Sequence, residues 1–106
     1  IIFGSPPNDR VIILDDVITS GLSINESKNL IDSFNGKLQA IYVSLDRMEV
    51  GDNGISAIKH ISELHGVPVF SIINIQDVIE YLSQNKKHHS KVENIREYVK
   101  KYSWNI

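Results

Sequence analysis

The sequence predicts an α/β fold built on a parallel sheet with helices on both faces. Two observations predict it. Apolar segments at residues 11–14, 38–45 and 67–73 alternate with segments whose apolar residues recur at helical spacing. Residues 11–14 are apolar at successive positions and mostly β-branched, which is typical of a strand buried on both faces. Three strands are few for such a sheet, so we interpret the chain as half of a larger one.

Helix signals separate and follow these strands. A first helix is expected over residues 22–34, and Asn35-Gly36 would end it in a left-handed conformation. A second has its apolar residues between Ile55 and Leu64 and ends at Gly66. Two more are expected from residue 74 to 82 and from residue 90 to 102. The predicted order is β-α-β-α-β-α-α, with candidate capping pairs at Ser23/Glu26, Asn74/Asp77 and Ser90/Glu93.

Length and charge limit the function classes. The 106 residues suffice for a single domain, in which residues 86–106 form a C-terminal helix and tail. Lys plus Arg number 11 and Asp plus Glu 13, for a net charge of −2, which indicates neither a nucleic acid nor a membrane surface as partner. Cysteine is absent, so disulfides and thiolate zinc sites are excluded. We expect a soluble, cytoplasmic protein, and, because the chain starts with Ile1 and not Met, one that is processed or part of a longer polypeptide.

The segment after the first strand carries the chemistry. It begins with two acids and continues into a hydroxyl-rich turn with one glycine at the start of a helix; its residues are Asp15, Asp16, Val17, Ile18, Thr19, Ser20, Gly21, Leu22 and Ser23. Ligands of open α/β sheets bind beyond the carboxyl ends of the strands. Backbone N–H groups at such a turn suit a phosphate, and carboxylates suit the hydroxyls of a ribose or the outer shell of a magnesium ion. Taken alone, paired acids here are more often helix caps or solvated turn residues.

The run from Val11 to Gly21 resembles the phosphoribosyl pyrophosphate (PRPP) signature of type I phosphoribosyltransferases, and its Asp-Asp-Val-Ile-Thr form is most similar to that of orotate phosphoribosyltransferases. A second match is Ser44-Leu45-Asp46-Arg47-Met48-Glu49 with the helix behind it. Both motifs stand in the family's order, and the resemblance covers nearly the whole chain. It implies the C-terminal, PRPP-binding half of a type I phosphoribosyltransferase fold.

The resemblance also implies roles for these residues. Asp15 and Asp16 would hold the ribose hydroxyls of PRPP and favour the positive charge that develops on the sugar. The turn from Thr19 to Ser23 would bind the 5-phosphate, with Thr19 also near orotate. Arg47 would face orotate, where a planar guanidinium suits a carboxylate. The family transfers ribose 5-phosphate from PRPP, carried with Mg²⁺, to orotate in pyrimidine (UMP) biosynthesis, and works as a homodimer.

Two departures from the family pattern stand out. Leu22 occupies a position where the family usually has Thr, so one hydroxyl donor to the phosphate is missing. The family is also about twice as long, so we expect this chain alone to be inactive. The alternatives are a phosphoribosyltransferase for a purine base, or a non-catalytic PRPP-binding module or remnant.

Other polar clusters are given structural interpretations. The Lys86-Lys87-His88-His89 tract is expected to be a solvated linker, and Glu49 and Asp52 solvated loop acids. His60 and His65 are five residues apart and do not share a helix face, so no protein-held metal site is predicted.

Overall fold

Three parallel strands form the sheet, and two helices connect them. The computed structural model describes residues 2–18, 20–51 and 54–102. In it β1 (Arg10–Val17), α1 (Leu22–Ser33), β2 (Lys37–Asp46), α2 (Ala57–His65) and β3 (Val69–Asn74) alternate along the chain. They are followed by α3 (Ile75–Ser83), a 3₁₀ turn (Lys86–His88) and α4 (His89–Tyr102). The predicted α/β class and the order of strands and α-helices are confirmed, and the predicted basic linker is this turn together with the start of α4.

The sheet has the order β1-β2-β3, and all of its pairings are parallel. Val17 pairs with Leu45, and Asp46 pairs with Asn74, so the three strands end at one edge. Ligands of such sheets bind at the carboxyl edge, so we expect a ligand site at the segments that leave β1 and β2.

The hydrophobic core lies between the sheet and the two connecting helices. Its buried residues come from all of these elements except β3: Ile13, Ile24, Ile31, Leu38, Ile41, Val43 and Ile61. Val69 of β3 packs against this cluster from its margin. The presence of α1 and α2 residues in one cluster means that both helices cover the same face of the sheet.

The other face of the sheet is open, which differs from the predictions that helices lie on both faces and that β1 is buried on both. Its large apolar side chains are exposed: Ile12, Leu14, Tyr42, Phe70 and Ile72. The topology explains this difference, because right-handed crossovers in the order β1-β2-β3 bring both connecting helices to one face. Within the described residues, the apolar pattern of β1 is therefore that of a strand whose second face has no cover.

The sequence signals predicted some helix ends correctly and others wrongly. Asn35 has a positive φ of 60° after α1, and Gly66 caps α2 at φ 66°, as expected from their residue types. Asn74 and Asp77 form the predicted capping box of α3. The prediction for the last helix was wrong by a residue, because α4 begins at His89 and Ser90 lies within it. No helix in the described residues is long and apolar enough to cross a membrane.

Candidate functional site

Asp15 and Asp16 lie inside β1, near its carboxyl end. The prediction that β1 ends at Leu14 was therefore three residues short. The strand continues because its ladder with β2 continues, pairing Asp15 with Val43 and Val17 with Leu45. Strand geometry then decides where the two carboxylates point, since successive side chains of a strand lie on opposite faces.

The two carboxylates have different surroundings. Asp15 is half-buried on the helix-covered side, where its Oδ2 accepts a hydrogen bond from the Ser23 hydroxyl at 2.8 Å. Asp16 is exposed on the open side, and its Oδ1 accepts the N–H of Val17 at 2.6 Å. The backbone carbonyl of Asp16 accepts a hydrogen bond from Ser44 of β2 at 2.6 Å, a contact that the sequence pattern did not indicate. Asp16 thus offers an exposed carboxylate, whereas Asp15 ties β1 to the first turn of α1.

A tight turn at Gly21 begins α1. Gly21 is the N-cap residue, with φ 79° and ψ 5°, and the N–H of Asn25 donates to its carbonyl oxygen at 3.0 Å. The predicted Ser23/Glu26 capping box is wrong, because the N-cap lies two residues earlier and the Ser23 hydroxyl is used by Asp15. Glycine has no side chain to cap the first-turn N–H groups, so this helix end keeps the character of an anion site.

The remaining residues of the turn are partly accessible. Ser20 and Ser23 are exposed, and the Ser20 hydroxyl oxygen accepts the N–H of Leu22 at 3.3 Å. Leu22 exposes 62% of its surface at the first position of α1, and its side chain offers no hydrogen-bond donor. Ile18 packs against the core and anchors the turn. Thr19, predicted to bind both substrates, lies outside the described residues.

Arg47 follows β2 at the same edge of the sheet. The turn that carries it is fixed by Asp46, whose Oδ1 accepts the N–H of Met48 at 2.8 Å. Met48 is buried and has a φ of 57°, a left-handed conformation that is uncommon outside glycine. The half-buried guanidinium lies 3.3 Å from Glu49, measured from Nη1 to Oε1.

Glu49 is not a solvated loop acid, and that prediction was wrong. It is half-buried, pairs with Arg47 and accepts a hydrogen bond from the hydroxyl of Tyr98 on α4. The hydrogen bond to Glu49, together with burial, raises the pKa of Tyr98 above its ordinary value. No sequence pattern indicates this contact, which joins residues 49 positions apart. Asp52, the other acid of this loop, lies outside the described residues.

The β1–α1 turn and the Arg47 loop meet around a small cavity. Ile18 from the first and Arg47 and Glu49 from the second line it, together with Ile58 of α2. The structure thereby brings together the two segments that the sequence singled out separately. Within the described residues, no group of three or more His, Asp or Glu side chains could hold a metal ion.

Comparisons with known proteins identify relatives of this chain. It is 37% identical over 101 residues to an orotate phosphoribosyltransferase of Marinobacter nauticus, covering 95% of this chain and 48% of the relative. It is 38% identical over 99 residues to that of Photorhabdus laumondii, covering 93% and 46%. A crystal structure of an orotate phosphoribosyltransferase from Francisella tularensis superposes with a TM-score of 0.75 at 30% identity, covering 95% of this chain and 50% of that one. No family model matches the sequence.

The curated relatives are similar in sequence, and the crystal structure is similar in fold, over nearly the entire length of this chain. The chain spans about half the length of the curated relatives that it matches. It is therefore a homologue of half of an orotate phosphoribosyltransferase, with the fold of that part of a type I phosphoribosyltransferase.

Proposed function

We propose that this homologue of half of an orotate phosphoribosyltransferase is the C-terminal, PRPP-binding half of such an enzyme. The complete enzyme would transfer ribose 5-phosphate from PRPP to orotate, giving orotidine 5′-phosphate and pyrophosphate. The observation that carries the proposal is that the segment leaving β1 and the Arg47 loop lie together at the carboxyl ends of adjacent strands, where Ile18 and Arg47 line one small cavity. An anionic sugar phosphate and a planar carboxylate each find a matching group there.

The turn from Thr19 to Ser23 would bind the 5-phosphate of PRPP. Gly21 supports this role because its left-handed backbone turns the chain directly into α1 and it has no side chain that could compete with a phosphate for the first-turn N–H groups, of which that of Leu22 donates to Ser20 Oγ at 3.3 Å. The hydroxyls of Ser20 and Ser23 lie in the same turn. Val17 and Ile18 would contribute backbone only, since Ile18 is anchored in the core.

Asp16 and Asp15 would bind the ribose. Asp16 is exposed at the edge, and its carboxylate accepts the N–H of Val17 through Oδ1 in the described structure, so Oδ2 can receive ribose hydroxyls. Asp15 would also bind the ribose, from the helix-covered side of the sheet, while its Oδ2 accepts the Ser23 hydroxyl. Their charges would favour the positive charge that develops on the sugar as pyrophosphate leaves, so catalysis would depend on electrostatics and positioning.

Arg47 would bind orotate through its carboxylate, with Thr19 nearby. Its loop lies next to the phosphate turn, and a guanidinium can form two parallel hydrogen bonds with a carboxylate. A purine base carries no carboxylate, so Arg47 favours orotate as the acceptor.

Magnesium would arrive with PRPP. The exposed Asp16 carboxylate at the end of β1 fits the outer shell of an ion held mainly by pyrophosphate oxygens and water, which is the usual manner of Mg²⁺ binding. The ion would neutralise the leaving pyrophosphate. We also propose a cytoplasmic location and a homodimeric complete enzyme, and we expect no turnover by this chain alone.

An Asp16→Asn variant tests the PRPP site. Calorimetric titration of PRPP with Mg²⁺ is expected to give an affinity about tenfold lower for the variant than for the unchanged chain, because a charged hydrogen-bond acceptor is lost. Asp9→Asn is the matched control, since the Asp9 carboxylate also accepts the next residue's N–H but lies at the opposite end of β1. Equal PRPP affinity in the Asp16→Asn chain would refute the assignment.

The choice of acceptor is tested separately. In the presence of PRPP, orotate should bind more tightly than hypoxanthine, and Arg47→Lys should remove most of the difference because lysine lacks the planar fork. Preferential binding of the purine would support the purine-type alternative instead.

A further inference from the structure

The loop that carries Arg47 is fastened to the end of α4 at two points. The Tyr98 hydroxyl donates a hydrogen bond to Glu49 Oε1, and the backbone N–H of Val50 donates to the carbonyl oxygen of Tyr102 at 2.9 Å. The rings of Tyr98 and Tyr102 lie against each other with centroids 4.7 Å apart. The distal helix therefore holds both the backbone and an acidic side chain of this loop.

The side-chain attachment continues to Arg47. The same oxygen of Glu49 that accepts the Tyr98 hydroxyl lies 3.3 Å from Arg47 Nη1. A free arginine side chain has a large rotamer entropy, about 2 kcal/mol. A fixed carboxylate beside Arg47 restricts the rotamers of its side chain and hence the orientation of its guanidinium. Glu49 can do this only while it is itself held, and Tyr98 is the group that holds it from outside the loop.

The backbone of the loop has its own restraint. Asp46 accepts the N–H of Met48, whose left-handed conformation and burial fix the turn. Asp46 thus sets where the Arg47 backbone lies, whereas Glu49 and Tyr98 act on its side chain. A change at Tyr98 should accordingly alter the guanidinium and leave the turn in place.

We infer that Tyr98 is a positioning residue, which holds Glu49 so that the Arg47 guanidinium stays aimed at the carboxylate of orotate. This inference rests on the proposed function for its substrate. Tyr98 is a donor throughout the neutral range, because the ordinary pKa of its hydroxyl is 10.0 and the hydrogen bond to Glu49 raises this pKa further.

The experiment compares Tyr98→Phe with Tyr81→Phe. Tyr81 lies on α3 with 73% of its surface exposed, so its replacement controls for the loss of a tyrosine hydroxyl elsewhere. Two readouts are taken by NMR: the Arg47 side-chain N–H signal, and the affinities for orotate and for PRPP. In Tyr98→Phe we expect a shifted or broadened Arg47 signal and orotate affinity about fivefold lower, with PRPP affinity unchanged. Tyr81→Phe should change none of these.

The outcomes separate this inference from the proposed function. An unchanged Arg47 signal in Tyr98→Phe overturns the positioning role, whether or not orotate binds. Failure of the unchanged chain to bind orotate argues against the proposed function, while the Arg47 signal still decides the positioning role. A parallel loss of orotate and PRPP affinity would indicate general destabilisation and contradict it as well. If Tyr98→Phe does not fold, Glu49→Gln, which keeps an oxygen acceptor for Tyr98 but lacks the charge, must shift the Arg47 signal.

Discussion

Gly21 combines a left-handed backbone with a close contact to the core. A Cβ at this position would lie 2.5 Å from Cδ1 of Ile61, and its φ is +79°. We expect Gly21→Ala to lower the free energy of unfolding by about 2 kcal/mol, from conformational strain together with overpacking. Gly66→Ala is the control, because it has φ +66° with nothing within 4 Å and should show only the strain. Urea denaturation checks this, and equal losses in the two variants would exclude a steric role for Ile61.

A substitution at Leu22 tests the phosphate turn by an expected gain in PRPP affinity. Leu22 is largely exposed, so Leu22→Thr should alter stability little while adding a hydroxyl donor at the first turn of α1. We expect PRPP affinity to rise about threefold to tenfold, as for one added hydrogen bond to a charged group. Leu22→Val is the matched control, since it is β-branched but lacks the hydroxyl. Calorimetry that gives equal affinities for the Thr and Val variants would contradict a phosphate at this position.

At the scale of elements, His65 ends α2 and feels the charges of Lys28 and Asp32 on α1. Burial lowers its pKa below the ordinary 6.5, the charge of Lys28 lowers it further, and Asp32 opposes them. Its Nε2 is buried without a hydrogen-bond partner among the described residues. Because the folded state favours neutral His65, its contribution to stability is complete above pH 6.5 and decreases as the pH falls below that value toward the lowered pKa.

The pH prediction is tested by urea unfolding at about pH 7.5 and about pH 5.5. We expect the unchanged chain to lose more stability on acidification than His65→Gln does. His60→Gln, an exposed position on the same helix, should behave like the unchanged chain. An identical pH response in the unchanged chain and His65→Gln would refute the assignment.

Helix and strand boundaries were predictable where no residue from another element competed for the side chains that give the local signal. Asn74 and Asp77 cap α3 as predicted, through two reciprocal hydrogen bonds between residues three apart in the sequence. The equivalent pattern at Ser23 and Glu26 failed because Asp15, from a different element, takes the Ser23 hydroxyl. β1 ran past its apolar residues for a similar reason, since pairing with β2 keeps Asp15 and Asp16 extended. Sequence patterns record neither of these long-range contacts.

At the scale of the whole molecule, the open face of the sheet carries five large exposed apolar side chains on neighbouring strands. Leu14 and Ile72 expose 74% and 78% of their surfaces there. Contiguous apolar patches of this kind favour association. We expect Leu14→Thr with Ile72→Thr to weaken self-association of the chain, while stability changes by less than about 1 kcal/mol because threonine suits strands. Leu64→Thr, at a 57% exposed position on α2, should leave self-association unchanged.

Sedimentation velocity over a range of concentrations measures this effect. The same concentration dependence for the double variant and the unchanged chain would show that the open face does not drive association.

The candidate site was predictable in its parts but not in its arrangement. The turn at Gly21 and the loop at Arg47 were both found from residue types and order, and the structure brings Ile18 and Arg47 to one cavity. The opposite directions of Asp15 and Asp16 follow from the length of β1, which was underestimated. The attachment of Glu49 to Tyr98 spans 49 positions in the chain, a separation at which the sequence pattern carries no signal.

An NMR titration of the amide groups with PRPP and Mg²⁺ tests directly whether this chain binds PRPP at the Gly21 turn. We expect saturable chemical-shift changes in the turn from Ser20 to Ser23 and at Asp16, at the carboxyl end of β1. The basic turn at Lys86–His88 should show at most weak, non-saturating changes. Shifts concentrated at that basic turn, or no saturable shifts in the Gly21 turn, would contradict the claim that this chain binds PRPP.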